Sequence, residues 1–127
     1  MAALLSNINS KRYLVVGTSN KSELFVGYFT KGGDSVHDIA PIADLTVSEV
    51  IKIGEVLGVP KDILYKTPSD GISSYSDEEK LGVTYQDIER YINGDKTLDK
   101  DIAFKIEKLH NNNLHKFNIP TYRKDNL

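Results

Sequence analysis

The chain has 127 residues, of which 39% are hydrophobic and 27% charged, and its formal net charge is −2. That charge argues against a general nucleic-acid-binding protein, and the lack of cysteine excludes disulfides, thiolate metal sites and cysteine nucleophiles within these residues. Without an apolar run long enough for a membrane helix, or the pattern of a signal peptide, we expect one soluble, cytoplasmic domain that binds neither membranes nor nucleic acid.

The first part of the chain predicts a helix, a strand and a second helix. Residues 2–12 are rich in helix formers, with their apolar positions on one face. The run Tyr13–Gly17 is continuously apolar, which predicts a buried, parallel strand. A Gly-containing turn follows, and helical periodicity resumes over 21–28. Strand, tight turn and helix form the unit of an open α/β sheet, in which ligands bind beyond the carboxyl ends of the strands.

The rest of the chain predicts one long loop and several helices. Residues 30–41 are rich in Gly and Asp, as in a functional or solvated loop. Thr46 and Glu49 form a capping-box pattern that begins a helix ending near Gly58. Further helical segments are predicted at 61–65, 76–82, 84–93 and 98–113, with an irregular tail from 118 to 127. A lone parallel strand cannot pair with itself, so the chain is expected to be a piece of an α/β protein.

Two polar segments have residue types suited to chemistry. In the turn 17–23, backbone N–H groups and the Thr18 hydroxyl suit a nucleotide, and Glu23 suits a divalent metal. The alternative is an ordinary strand–helix turn with a Ser or Asn cap. In the loop, Lys31 suits a phosphate or carboxylate and Asp34 suits sugar hydroxyls or an ammonium, and the alternative is a solvated polar loop.

The last predicted helix ends with two histidines and a lysine. His110 and His115 do not have the spacing of a helical metal pair, and no third ligand is evident. His115 and Lys116 also suit the negative end of a helix dipole, which requires no ligand.

Six segments, in their order and spacing, resemble the ammonia-dependent NAD(+) synthetases. They are VVGTSNKSE (15–23), GYFTKGGD (27–34), PIADL (41–45), LGVP (57–60), KTPSDG (66–71) and DEEKLG (77–82). The resemblance implies the C-terminal portion of a Rossmann-like, adenine nucleotide alpha-hydrolase-like α/β fold, mostly helical with one or two parallel strands. It also implies membership of the N-type ATP pyrophosphatases, which adenylate deamido-NAD with Mg-ATP before ammonia displaces AMP to give NAD.

The resemblance implies a role for each matching residue. We expect Thr18 and Ser69 to contact ATP and Glu23 to ligate Mg²⁺. The expected contacts of deamido-NAD are Lys31, Asp38, His115 and Lys116. Asp34 is expected to have a catalytic role near the ammonia. Val47 departs from the pattern, because many members of the family have a phosphate-contacting lysine there.

The resemblance covers only part of the family's pattern. The pyrophosphate-binding Ser-Gly-Gly-x-Asp-Ser loop is absent from these residues, and the family is roughly twice as long. We therefore expect residues 1–127 to form the C-terminal half of a synthetase domain that is inactive alone and homodimeric when whole. The alternatives are a non-enzymatic module that binds a dinucleotide or dimerises, and complementation by a second chain that carries the missing loop.

Overall fold

The computed structural model describes residues 13–69, 71 and 74–118. Over these residues the chain forms six α-helices and one 3₁₀ turn. The helices are α1 (Lys21–Val26), α2 (Val47–Val56), α3 (Lys61–Leu64), α4 (Asp77–Leu81), α5 (Tyr85–Ile92) and α6 (Lys100–Asn113), and the 3₁₀ turn is Leu114–Lys116. The helix predicted over 2–12 and most of the predicted tail lie outside the described residues.

The predicted strand is reduced to a single bridge. Val16 pairs in parallel with Ile39, and the Gly17 N–H donates to the Ile39 carbonyl at 2.7 Å. Tyr13 and Leu14 are 65% and 68% exposed, so the prediction of a buried strand is wrong for these residues. The physical reason is that the described part of the chain has no second strand to pair with this segment or element to cover it. The direction of the pairing is parallel, as predicted.

Most helices begin at the predicted caps. Thr46 and Glu49 form the predicted capping box, in which the Thr46 N–H donates to Glu49 at 2.8 Å. Ser76 caps α4 in the same way, and the Thr84 hydroxyl accepts the Asp87 N–H at the start of α5. Each cap satisfies backbone N–H groups that have no partner within the helix. The helices from 46 onward are thereby confirmed to within a few residues.

The hydrophobic core lies where α1, α5 and α6 meet. Its buried members are Val26, Val83, Tyr85, Ile88, Leu98 and Ile106. This packing fixes α1, whose C-terminal end leads directly into the loop that contains the predicted ligand-binding residues. Among the described residues, no helix combines the length and hydrophobicity needed to cross a bilayer.

The junction between α1 and α6 requires a glycine. Gly27 ends α1 with a φ of +68°, in the left-handed region that residues with a Cβ adopt at a cost. A Cβ at this position would also collide with the Cβ of Asn113 on α6. The Asn113 amide donates to the carbonyls of Val26 at 3.0 Å and Leu109 at 2.8 Å, so a collision would disturb both hydrogen bonds.

We predict that Gly27→Ala lowers the free energy of unfolding by about 3 kcal/mol, about 1 for the backbone and the rest for the displaced Asn113 amide. Gly94→Ala is the matched control, because Gly94 has a φ of +73° and no atom lies within 4 Å of the place that a Cβ would take. We expect this control to cost about 1 kcal/mol. Urea denaturation measures both losses, and equal losses would contradict the proposed packing against Asn113.

Candidate functional site

The turn before α1 is shaped by a buried glycine and a capping box. Gly17 is buried, and a Cβ there would lie 2.7 Å from the His37 ring, which would have to move. Thr18 follows it and is exposed. Asn20 caps α1 by accepting the Glu23 N–H at 3.0 Å, so the Asn cap that the sequence allows is present. The turn therefore exposes the Thr18 side chain to solvent between a buried glycine and a capped helix.

The Glu23 carboxylate lies partly buried in the first turn of α1. One of its oxygens accepts the Asn20 N–H at 2.9 Å, which completes the capping box. Burial raises the pKa of Glu23, and the neighbouring carboxylates of Asp77 and Asp34 raise it further. A cation at this position would relieve the repulsion among the three acidic side chains.

The predicted metal role of Glu23 has a structural limit. The described residues include no group of three or more His, Cys, Asp or Glu side chains arranged to hold a metal. Mg²⁺ is nevertheless often held by one or two carboxylates, with phosphate and water oxygens as its other ligands. Glu23 fits that arrangement as a single protein ligand beside a nucleotide.

Asp34 organises the loop that follows α1. Its carboxylate accepts the Thr30 N–H at 2.7 Å, and the Gly33 N–H donates to the Thr30 carbonyl at 2.9 Å. Such bonds between an Asp side chain and the nearby backbone are typical of tight turns. The carboxylate of Asp34 is thereby fixed at the edge of a cavity.

Asp38, predicted to contact a dinucleotide, is engaged with the backbone. Its carboxylate accepts the Val15 N–H at 2.8 Å, and its own N–H donates to the Val15 carbonyl at 2.9 Å. These two bonds support the parallel bridge at Val16. The carboxylate is exposed and retains acceptor capacity, but it does not line the cavity that contains Asp34.

The C-terminal 3₁₀ turn is joined to the loop by two lysines. Lys116 donates to the carbonyls of Gly27 at 2.6 Å and Phe29 at 2.8 Å, and its ammonium lies 5.3 Å from the centre of the Phe29 ring. Lys31 donates from the loop to the carbonyl of His115 at 2.8 Å, across 84 positions of sequence. The structure thus brings together Lys31, His115 and Lys116, which the sequence resemblance assigned to one ligand.

A cavity of about 470 Å³ lies beside this junction. Asp34, Lys80 and Lys116 are its charged lining residues, and Phe29 and Leu109 contribute apolar surface. Thr18 and Ser69 do not line it, and Ser69 is an exposed residue that follows the lining segment of a second cavity. Of the predicted dinucleotide contacts, only Lys116 lines this cavity, and Lys31 and His115 lie beside it at the junction. We define the candidate ligand-binding corner as this cavity with the adjoining loop 30–34 and turn 114–116.

Two residues that contribute to this corner, Asn113 and Tyr28, are not among those predicted from the sequence. Asn113 holds the end of α1, and its spacing of three from both His110 and Lys116 is a signal that the sequence contains. The Tyr28 hydroxyl donates to the buried Asp77 carboxylate at 2.8 Å, across 49 positions. No local pattern predicts that second contact.

Val47 lies at the start of α2, partly buried against the hydrophobic core. An aliphatic side chain there supplies no charge for a phosphate. The position at which many members of the resembled family have a lysine is thus occupied by an apolar side chain in the folded chain.

Comparison with known proteins shows which family this chain is similar to. A model of the NAD synthase family matches residues 1–120. An NH(3)-dependent NAD(+) synthetase from Alkaliphilus oremlandii is 44% identical over 121 residues, which cover 94% of this chain and 48% of the relative. A synthetase of the same description from Mannheimia succiniciproducens is 40% identical, with the same coverage of each chain. The chain therefore spans about half the length of the curated relatives it matches.

Solved structures show a similar fold. The NMN synthetase from Francisella tularensis superposes with a TM-score of 0.88 at 36% identity, over 97% of this chain and 52% of that one. The NH3-dependent NAD synthetase from Campylobacter jejuni gives a TM-score of 0.72 at 26% identity, over 98% and 51%. These neighbours are consistent with the predicted α/β class, although the described residues are helical apart from the single bridge.

We predict opposite pH dependences for two Glu→Gln substitutions at equivalent capping positions. The raised pKa of Glu23 means that the folded chain binds its proton more tightly than the unfolded chain, so this group lowers stability as the pH rises above about 4.5. Glu23→Gln keeps the cap, and its stability relative to the unaltered chain should increase with pH.

Glu49→Gln is the matched control, because hydrogen bonds from Thr46 lower the pKa of Glu49. That group stabilises the folded chain above the unfolded pKa and loses its contribution as the pH falls, so the control should lose relative stability with rising pH. Urea denaturation between pH 3 and 7 in the presence of a chelator measures both. The same sign for the two variants would contradict the proposed environment of Glu23.

Proposed function

The chain belongs to the NAD synthase family, and we propose that it contributes to the ATP-dependent amidation of deamido-NAD to NAD with ammonia. The observation that carries this proposal is the meeting of the loop 30–34 with the turn 114–116. Lys31 and His115 are 84 positions apart, yet they are in direct contact. A cavity bounded by a fixed carboxylate and a fixed ammonium adjoins that contact.

The chemistry needs charge placement more than a side-chain nucleophile. The nicotinate carboxylate attacks the α-phosphorus of ATP and releases pyrophosphate, and ammonia then attacks the activated acyl carbon and releases AMP. Both steps develop negative charge on oxygen, which is stabilised by positioned cations and hydrogen-bond donors. A chain without cysteine is compatible with this reaction.

Lys116 and Lys31 differ in how firmly their side chains are held by the fold. Lys116 is held by two carbonyls and an aromatic ring, so its charge is fixed beside the cavity. Lys31 is exposed and makes one hydrogen bond, to the His115 carbonyl, which a phosphate of deamido-NAD can replace. His115 and Asp38 complete the proposed set of dinucleotide contacts.

Asp34 is the proposed acceptor of the ammonium proton. Ammonia attacks as the neutral molecule, so an ammonium ion must first lose a proton to a nearby base. The Asp34 carboxylate lines the cavity in a fixed orientation, and Glu23 lies close enough to be perturbed by its charge. Thr18 and Ser69 are proposed to contact ATP, and Glu23 to ligate the Mg²⁺ that would polarise its phosphates.

We propose that residues 1–127 act as half of a synthetase domain, with the pyrophosphate-binding loop supplied from outside these residues. Support comes from the lack of a Ser-Gly-Gly-x-Asp-Ser motif and from the coverage of about half of each relative. A homodimer is the proposed assembly of the complete enzyme. A non-enzymatic module that binds the dinucleotide or dimerises is the alternative.

A second molecule is a candidate for the substrate whose carboxylate is amidated. The similarity to the NMN synthetase from Francisella tularensis exceeds that to the NAD synthetase from Campylobacter jejuni in both TM-score and identity. By identity the NAD(+) synthetase from Alkaliphilus oremlandii is more similar still, at 44%, so deamido-NAD is the first candidate and a mononucleotide with the same nicotinate carboxylate is the alternative substrate. The amide-forming chemistry is the same for both acceptors.

An assay with ATP, ammonia and each acceptor tests the proposed function. We predict that the 127-residue chain alone forms no amide product, whereas addition of the complementary half of the Alkaliphilus oremlandii relative restores product formation. The acceptor with the larger kcat/KM identifies the substrate. Omission of ATP is the control for unrelated amidation.

The outcomes separate the alternatives. Turnover by the chain alone would contradict the half-domain proposal. If the mixture is inactive, calorimetric titration with deamido-NAD decides between the alternatives: binding favours a non-enzymatic module, and a flat titration contradicts a dinucleotide-binding role.

A further inference from the structure

A buried polar cluster lies where residues of α1, α4 and α5 approach one another. Asp77, at the start of α4, is only 6% exposed, and one of its carboxylate oxygens accepts the Tyr28 hydroxyl at 2.8 Å. Glu23, on α1, is partly buried, and one of its oxygens accepts the Asn20 N–H at 2.9 Å. Burial raises the pKa of Glu23 and the charge of Asp77 raises it further, so the two carboxylates lie within electrostatic range of each other.

The described residues do not balance the charge of these two carboxylates. Within the described part of the chain, no lysine, arginine or histidine forms an ion pair with Asp77 or Glu23. The second oxygen of each carboxylate accepts no hydrogen bond from the described residues either. A charge removed from water is normally paired or bound to a cation, because an uncompensated buried charge is costly. The cluster therefore favours a positively charged ligand.

Tyr85, the first residue of α5, gives an independent indication of a ligand at this place. The residue is 4% exposed, and its hydroxyl is buried without a hydrogen-bond partner among the described residues. Burial raises the pKa of this hydroxyl, and the charges of Glu23 and Asp77 raise it further, so a neutral hydroxyl faces the carboxylates. Its oxygen lone pairs can bind a cation while its proton is donated to a carboxylate.

The oxygens of this cluster suit a monovalent cation better than a divalent one. The described residues include no group of three or more His, Cys, Asp or Glu side chains arranged to hold a metal. Mg²⁺ demands a near-octahedral shell at short distances, and Ca²⁺ takes six to eight oxygens. K⁺ is bound in other proteins by neutral oxygens that replace its hydration shell, and the Tyr85 hydroxyl is an oxygen of this kind.

We propose that the second carboxylate oxygen of Asp77 and the Tyr85 hydroxyl bind a monovalent cation of the size of K⁺, beside the charge of Glu23. Tyr28 lines the cavity of about 470 Å³ and Tyr85 lines a separate cavity of about 450 Å³, from which a small ion can approach. The cation would connect α4 and α5, and through the Tyr28 hydroxyl it would also hold the end of α1. This site goes beyond the proposed function and does not depend on it.

Thermal unfolding of the full 127-residue chain in different chloride salts of equal ionic strength, with EDTA present, tests the proposal. Tetramethylammonium is the reference cation, because it has the same charge but is too large for the site and has no N–H donor. We predict that K⁺ raises the midpoint by about 5–10 °C over this reference, as expected for a ligand present at about ten to a hundred times its Kd. An ammonium chloride arm distinguishes ammonium, which has a similar size and charge, from K⁺.

Two substitutions locate the site. Tyr85→Phe removes only the hydroxyl, so it should abolish most of the K⁺-dependent shift without lowering the midpoint in tetramethylammonium chloride, where the hydroxyl is an unsatisfied buried group. Asp77→Asn removes the charge and keeps an oxygen that can accept the Tyr28 hydroxyl, so it should also abolish most of the shift. It serves as the second variant if Tyr85→Phe does not fold.

Ser22→Ala is the matched control. The Ser22 hydroxyl is also buried without a partner among the described residues, but its side chain is about 100° around the axis of α1 from that of Glu23. This variant should keep the full K⁺-dependent shift. A purely structural role of the Tyr85 hydroxyl would instead make Tyr85→Phe lower the midpoint equally in every salt.

The outcomes decide the proposal separately from the proposed amidation. Stabilisation by ammonium alone, lost in Tyr85→Phe, would support the site with ammonium as its ligand. Equal midpoints in the potassium, ammonium and tetramethylammonium salts would overturn the proposal, as would a shift that survives in both Tyr85→Phe and Asp77→Asn. Stabilisation that requires Mg²⁺ and the Tyr85 hydroxyl, with none from K⁺ or ammonium, would overturn the assignment to a monovalent cation.

Discussion

The carbonyl groups at the end of α1 are the constraint on which the described structure depends. A helix leaves its last carbonyls without partners, and α1 ends inside the protein, where water cannot satisfy all of them. One face of the C-terminal segment supplies the donors: His110 to Phe25 at 2.7 Å, Asn113 to Val26 at 3.0 Å and Lys116 to Gly27 at 2.6 Å. Each of these carbonyls would cost about 1–3 kcal/mol if left buried and unpaired.

The same contacts position the candidate ligand-binding corner. Lys116 extends the series into the loop, because it also binds the Phe29 carbonyl and lies against the Phe29 ring. Phe29 contacts Phe117 edge-on at 5.2 Å between ring centres, which adds an apolar contact between the two segments. The loop that presents Lys31 and Asp34 is consequently fixed at its root by the group that we propose to act on the ligand. Lys116 therefore contributes both to the folded structure and to the proposed binding of the ligand.

Local features of the structure were predictable from sequence, and long-range ones were not. Thr46 with Glu49 and Ser76 with Glu79 marked helix starts, because a capping box is a contact within four residues. The buried strand predicted at 13–17 failed because burial depends on neighbouring strands, which no local pattern reports. In the site, resemblance grouped Lys31 with His115 and Lys116, and the fold does bring them together. The hydrogen bond from the Val15 N–H to the Asp38 carboxylate is a long-range contact, which no local sequence pattern predicts.

Amide hydrogen exchange in Lys116→Met tests most directly whether this lysine holds the loop. We expect exchange of the Thr30 and Gly33 amides, which are hydrogen-bonded within the loop, to accelerate at least about tenfold, while the Asn93 amide at the end of α5 keeps its rate. Lys31→Met, which removes one exposed hydrogen bond, should change these rates little. Unchanged exchange at Thr30 and Gly33 in Lys116→Met, or an equal acceleration at Asn93, would contradict the proposed dependence of the loop on Lys116.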